Sequence, residues 1–256
     1  MSRGELWRAG DAVRQRLGFE AATPVPELAP GLDDLTTEMV FGAVWTRPGL
    51  AIEDRMLATL SALTSRQFLP QFGRYVGGAL NIGVAPRAIQ EVAIHCGIYA
   101  GFPSILNSLS AAAEVFAERG VEVSGADIPE PDAEALMAAG VEVMEALHGA
   151  GARAGYASPD NTATKGLYDI AVAHAYGGIW NRPGLDRRQR LICTVASFTA
   201  LNLPGQVVKF SRAAHAHGLS TEEIFEAIGH TGPYTGFPRA LNALALVGEA
   251  LETPAG

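Results

Sequence analysis

Apolar positions along this chain recur at helical rather than strand spacing. Between Arg55 and Leu63 they fall at Met56, Leu57, Leu60 and Leu63, the 3.6-residue period of a helix with a buried face. No stretch reads convincingly as a strand, so the pattern predicts an all-α fold. Helix punctuation agrees. Ser220-Thr-Glu-Glu223 has the form of a capping box, and Pro86, at the matching position of an earlier segment, suits a first helical turn. Arg-Pro-Gly at 47–49 and 182–184 breaks one helix before the next begins. Gly-Phe-Pro at 101–103 and 236–238 does the same, opening a final helix expected to end near Glu118 or Leu251.

These marks come in pairs because the chain repeats itself. FGAVWTRPGL at 41–50 returns as YGGIWNRPGL at 176–185, an offset of 135. The same offset carries Arg55 onto Arg190, Gln71 onto Gln206, Gly83 onto Gly218, Glu91 onto Glu226, His95 onto His230 and Tyr99 onto Tyr234. Laid together without a gap, 41–116 and 176–251 share 24 identities in 76 positions, the mark of an internal duplication. Upstream the register shifts, with Ala9-Gly10, Val13 and Leu17 matching Ala139-Gly140, Val143 and Leu147. The expected organisation is two tandem domains, 1–125 and 131–256. A stretch within 120–133 that carries Gly, two prolines and several acids reads as the linker.

Composition narrows the function classes. At 256 residues and 48% hydrophobic content the chain can bury the core of two ordinary domains. Its 19 basic and 27 acidic residues give a net charge of -8 with no long run of one sign, which argues against a nucleic-acid surface or a polybasic membrane patch. No segment reaches the roughly 18 consecutive apolar residues of a membrane span. The first 19 residues interrupt their apolar positions with charges, unlike a secretory leader, and a cytoplasmic location is expected. Cys96 and Cys193 lack a CxxC or Cys/His ligand spacing and read as buried free thiols, with no metal site implied. The expected partners are a small molecule and further copies of the chain.

The string W-[TN]-R-P-G-L, an apolar helix, then G-x5-I-x-E-x3-H-x3-Y-x-G-F-P occurs in both copies and resembles the carboxymuconolactone decarboxylase family over nearly the whole chain. The resemblance implies a compact helical fold and assembly into trimers or hexamers of single domains. For a tandem chain that means a homo-oligomer, with a trimer favoured and a dimer next. It also implies one of two chemistries, cofactor-free decarboxylation of a carboxylated lactone or thiol peroxidation through a CxxC. The cysteine slots of the peroxidase branch hold Phe68 and Gln71 here, and Leu203 and Gln206 in the second copy, so that chemistry is not expected. Where the catabolic decarboxylases usually carry a His, this chain has Tyr75 and Phe210, which points away from carboxymuconolactone itself.

Decarboxylation beside a conjugated carbonyl leaves an enolate, so a site needs donors for the oxyanion and a proton for carbon, without metal or nucleotide. Glu91, His95 and Tyr99 lie at i, i+4 and i+8 along one helical stripe, and Glu226, His230 and Tyr234 repeat it. A carboxylate one turn from an imidazole is expected to fix its tautomer and favour its charged form, making the histidine the proton donor and the tyrosine a second donor. The plain alternative is solvated glutamates and buried histidines satisfied by carbonyls. Arg55 and Arg190 are candidates for holding a substrate carboxylate, with Gln71, Gln206 and Tyr75 as further polar ligands. Trp45, Arg47, Trp180 and Arg182 read as structural. His215 and His217, found only in the second copy, read as surface residues. Pro233, where the first copy has Ile98, is expected to kink or end its helix near Tyr234. The expected function is a cofactor-free decarboxylase, other lyase or isomerase acting on a small activated carboxylic acid or lactone, in aromatic or polyketide-type secondary metabolism. Lactone hydrolysis, or a non-catalytic binding or scaffold role, is the alternative.

Overall fold

The computed structural model describes residues 1–21, 29–123, 128–129, 131–158 and 160–252. Part of the expected linker, 124–127 and 130, lies outside the described residues. The elements are helical throughout. In the first copy they are α1 (Arg3–Arg16), α2 (Leu32–Thr36) running into a π-helical segment (Thr37–Val44), α3 (Ile52–Arg66), α4 (Leu69–Asn81), α5 (Pro86–Ala100) and α6 (Phe102–Glu118). In the second they are α7 (Ala133–His148), α8 (Lys165–Ile170) with its π-helical segment (Ala171–Gly178), α9 (Arg187–Leu201), α10 (Pro204–Ala216), α11 (Thr221–His230), α12 (Gly232–Thr235) and α13 (Phe237–Glu252). Among the described residues no helix is long and apolar enough to cross a membrane.

Local chemistry sets the boundaries. Ser220 and Asp186 each close a capping box, and Pro opens α5 in its first turn. Gln67 and Asn202, related by the repeat, end α3 and α9 in the left-handed conformation. Pro233 has the expected effect. The segment that is one helix in the first copy, α5, is divided in the second into α11 and α12.

The two copies interlock. α3 and α9 are buried on nearly every side, lie against each other and also contact α5 and α11 of the opposite copy. A helix buried all round has no polar face to spare, and these carry small hydroxyl residues instead. Thr59, Ser61, Thr194 and Thr199 bond to the carbonyl one turn back, and Ser65 meets Ser197 across the contact at 2.6 Å. The cores mix accordingly. Leu185 and Cys193 pack into the first copy's cluster and Ala58 into the second's. Cys96 and Cys193 are buried free thiols.

The upstream repeat also has a steric cause. A Cβ on Gly10 would lie 2.0 Å from the Thr37 carbonyl, and one on Gly140 would lie 2.0 Å from that of Val172. Only glycine lets α1 and α7 approach the π-helical segments this closely.

Candidate active site

Each Glu-His-Tyr stripe faces the Arg-bearing helix of the opposite copy. Arg55 on α3, 1% exposed, donates through Nη2 to Glu226 Oε2 at 3.0 Å and to the carbonyls of Arg47 (2.6 Å) and Pro48 (3.0 Å). Its Nε donates to the Leu50 carbonyl at 3.2 Å, and its Nη1 lies 3.5 Å from His230 Nδ1. The second station is built the same way. Arg190 on α9 reaches the Arg182 carbonyl (2.6 Å), Glu91 Oε2 (3.4 Å) and His95 Nδ1 (3.3 Å).

The arginine fixes the imidazole. A guanidinium can only donate, so Nδ1 of each histidine is the acceptor and the proton resides on Nε2. In the second station that N–H points at Thr194 Oγ1, 2.8 Å away, whose own hydrogen goes to the Arg190 carbonyl. Tyr99 Oη lies 3.1 Å from the same Thr194 oxygen and, with the threonine hydrogen committed, must donate to it. His230 meets Thr59 in the same way, at 3.0 Å. Thr59 and Thr194 were not among the candidates from sequence. Their identity at the 135 offset was the signal that could have found them.

These contacts correct the expected protonation. The carboxylates do not serve the imidazoles. Glu226 takes Arg47 and Arg55, and Glu91 takes Arg182, Arg190 and Arg87. Burial, followed by the charge of the facing arginine, pulls both histidines well below their ordinary value, so the imidazoles are neutral. Burial resists charge on Glu226, but hydrogen bonds from Arg47 and Arg55 outweigh it and lower its pKa. Arg47 and Arg182, read from sequence as structural, are thus the outer ion-pair partners of the two glutamates.

The tyrosines mark the other end of each stripe. Tyr99, its pKa raised by burial, lines a cavity of about 250 Å³ with Gln206, Trp180, Phe198, Phe210, Tyr176 and Tyr168. In the other station Trp45 Nε1 donates to Tyr234 Oη at 2.7 Å, and Tyr234 donates to Tyr75 Oη at 3.1 Å. Tyr75 also stacks on Trp45 and is held protonated by burial. The structure thus gathers Arg55, Glu226, His230, Tyr234 and Tyr75 in one station. Arg190, Glu91, His95 and Tyr99 meet in the other, with Gln206 beside them on the cavity wall. Gln71 is exposed on the first turn of α4, and His215 is exposed while His217 is half-buried. Among the described residues no three His, Cys, Asp or Glu side chains converge as metal ligands would.

Comparison with known proteins agrees with this architecture. A nitrosuccinic acid decarboxylase of Metarhizium robertsii, npaB, is 36% identical over 84 residues, 33% of this chain and 58% of that enzyme. The 4-carboxymuconolactone decarboxylase of Acinetobacter baylyi is 31% identical over 85 residues, 33% of this chain and 63% of the relative. The chain therefore spans about three fifths of the length of these two curated relatives. A crystal structure described as a gamma-carboxymuconolactone decarboxylase subunit of Burkholderia xenovorans superposes with a TM-score of 0.57, covering 98% of this chain and 99% of that one at 19% identity, a likeness of fold. The model of the carboxymuconolactone decarboxylase family matches residues 30–114 and again 166–249, and the chain belongs to that family as a tandem duplication.

Proposed function

We propose that the protein is a cofactor-free decarboxylase of a small activated carboxylic acid, using the cavity bounded by Tyr99 and Gln206. One observation carries this reading: a hydrogen-bonded chain from Arg190 through His95 and Thr194 ends on a half-buried phenol at the wall of an aromatic cavity. About 250 Å³ suits a small acid or lactone rather than a polymer.

The aromatic walls offer a substrate carboxylate little solvation, whereas the charge of the product anion is spread over a conjugated carbonyl, or over a nitro group as in the substrate that names the Metarhizium relative. Breaking the bond to the carboxylate carbon releases carbon dioxide and leaves the electron pair in that conjugated system. A proton must then reach carbon. Tyr99, kept protonated by burial, is the assigned donor: its hydrogen turns from Thr194 Oγ1 to the carbon, and the phenolate left behind takes a proton from water that enters the cavity as product leaves, while the Gln206 amide is assigned to the developing oxyanion. His95 is assigned as a positioning residue, since both its ring nitrogens are engaged and it acts on Tyr99 through Thr194.

The test is to incubate purified protein with β-keto, lactone and nitro acids, measure carbon dioxide, and repeat with Tyr99→Phe. Release that depends on Tyr99 supports the reading. A change in the ultraviolet spectrum without carbon dioxide would assign isomerisation or lactone hydrolysis instead, and no turnover of any acid would leave a binding role. A location in the cytoplasm and a place in secondary metabolism belong to the same proposal.

A further inference from the structure

The two stations are built on one plan but differ in charge. Around Glu226 stand Arg47 and Arg55, and the position one turn before the carboxylate is Glu222, whose side chain packs against Gly49. Around Glu91 stand Arg182 and Arg190, and the position that matches Glu222 is Arg87, packed the same way against Gly184. Arg87 Nη2 lies 2.7 Å from Glu91 Oε1. With these residues alone, the first station is neutral, while three guanidinium groups share one carboxylate in the second. Burying like charges this close is unfavourable unless an anion offsets them.

The hydrogen bonds tell the same story. Arg55 Nε has the Leu50 carbonyl as acceptor, but the matching Arg190 Nε, in a side chain 1% exposed, has none. Arg87 Nε is also without an acceptor, and Arg87 Nη2 approaches Glu91 without hydrogen-bond alignment. Buried donors are normally satisfied, so unpaired guanidinium donors beside an excess of positive charge are available to an anionic acceptor. The rim is open, since the Arg87 and Arg182 side chains are 25% and 22% exposed. Arg182 also lines a cavity of about 290 Å³ beside Asn181, Ile179 and Leu136.

We infer that the cluster of Arg87, Arg182 and Arg190 around Glu91 is a binding site for a small oxyanion, a carboxylate or a phosphate. It is separate from the Tyr99 cavity. Glu91 and Tyr99 are eight residues apart on α5, about 12 Å along the axis, farther than one small acid reaches.

The test is calorimetric titration of the full-length chain with succinate and, in a second arm, inorganic phosphate, with sodium chloride at matched ionic strength as control. Saturable binding of either oxyanion, weakened at least about tenfold by Arg87→Glu, is expected from losing a charge-assisted contact. The arm that binds more tightly identifies the chemistry. Arg87→Glu copies the arrangement at Glu222, and Arg87→Gln removes the charge without adding one, so at least one folded variant reports. No binding of either anion beyond the chloride control, or equal binding by wild type and both variants, would overturn the inference. Heat of binding is read without turnover, so the outcome is independent of the decarboxylase reading.

Discussion

Arg190 of the second copy donates to Nδ1 of His95 in the first, at 3.3 Å, and by the same geometry Arg55 of the first copy faces His230 of the second. Neither station exists within one repeat. A carboxylate, an imidazole and a phenol come from one copy, while the guanidinium and the threonine hydroxyl come from the other.

The first consequence concerns pH. Burial and the facing arginines hold His95 and His230 well below the value they take in an unfolded chain. As pH falls through about 6.5 the unfolded state takes up protons that the native state refuses, so stability is full above that pH and lost below it. Each histidine contributes up to about 1.4 kcal/mol per pH unit. His148, lowered by burial to about 3, adds the same sign. Urea midpoints should fall between about pH 7.5 and about pH 5, a window above the titration of most carboxylates, and should fall less in a His95→Gln/His230→Gln double variant. Equal midpoints would mean that the native imidazoles take up protons as readily as those of the unfolded chain.

Arg55 ties together one carboxylate and three carbonyls while fully buried. Arg55→Ala should cost about 3–5 kcal/mol in denaturant unfolding, because it strips buried acceptors of their donor. Arg55→Lys should recover only part of this, since a single ammonium cannot reproduce the fork. Full stability in the lysine variant would show that charge alone matters there.

For the proposed reaction, Tyr99→Phe should lower kcat by about 100-fold or more with a small change in KM. Tyr234→Phe should leave that turnover intact if the Tyr99 cavity is the working one. His95→Gln should reduce kcat less than Tyr99→Phe. The opposite order would return the proton-donor role to the imidazole.

Two pairs of large side chains stand exposed at repeat-related positions, Phe102 and Leu106 on α6 (67% and 66%) and Phe237 and Leu241 on α13 (42% and 60%). Apolar residues presented twice at the same place suit contact with another copy of the chain. Sedimentation should show a homo-oligomer, with a trimer expected before a dimer, and Leu106→Glu with Leu241→Glu should shift it towards the monomer. A wild-type monomer at micromolar concentration would refute the expectation.

The repeat, the helical class, the family strings and most of the candidate residues could be read from sequence because they depend on local spacing. A 3.6-residue period places Glu91, His95 and Tyr99 on one stripe, and Pro233 interrupts a helix whatever surrounds it. Tertiary structure decided which copy each stripe faces. Arg55 is seven residues past its own Pro48, yet its carboxylate partner is Glu226, 171 residues away. That crossing also sets the direction in which the histidine pKa values move, because burial and an imidazole's neighbour, guanidinium rather than carboxylate, are properties of packing. The difference between Arg87 and Glu222 is plain in the sequence, but its meaning is not. Only the convergence of three arginines on one buried carboxylate turns a surface-like substitution into a local excess of positive charge, on which the proposed oxyanion site rests.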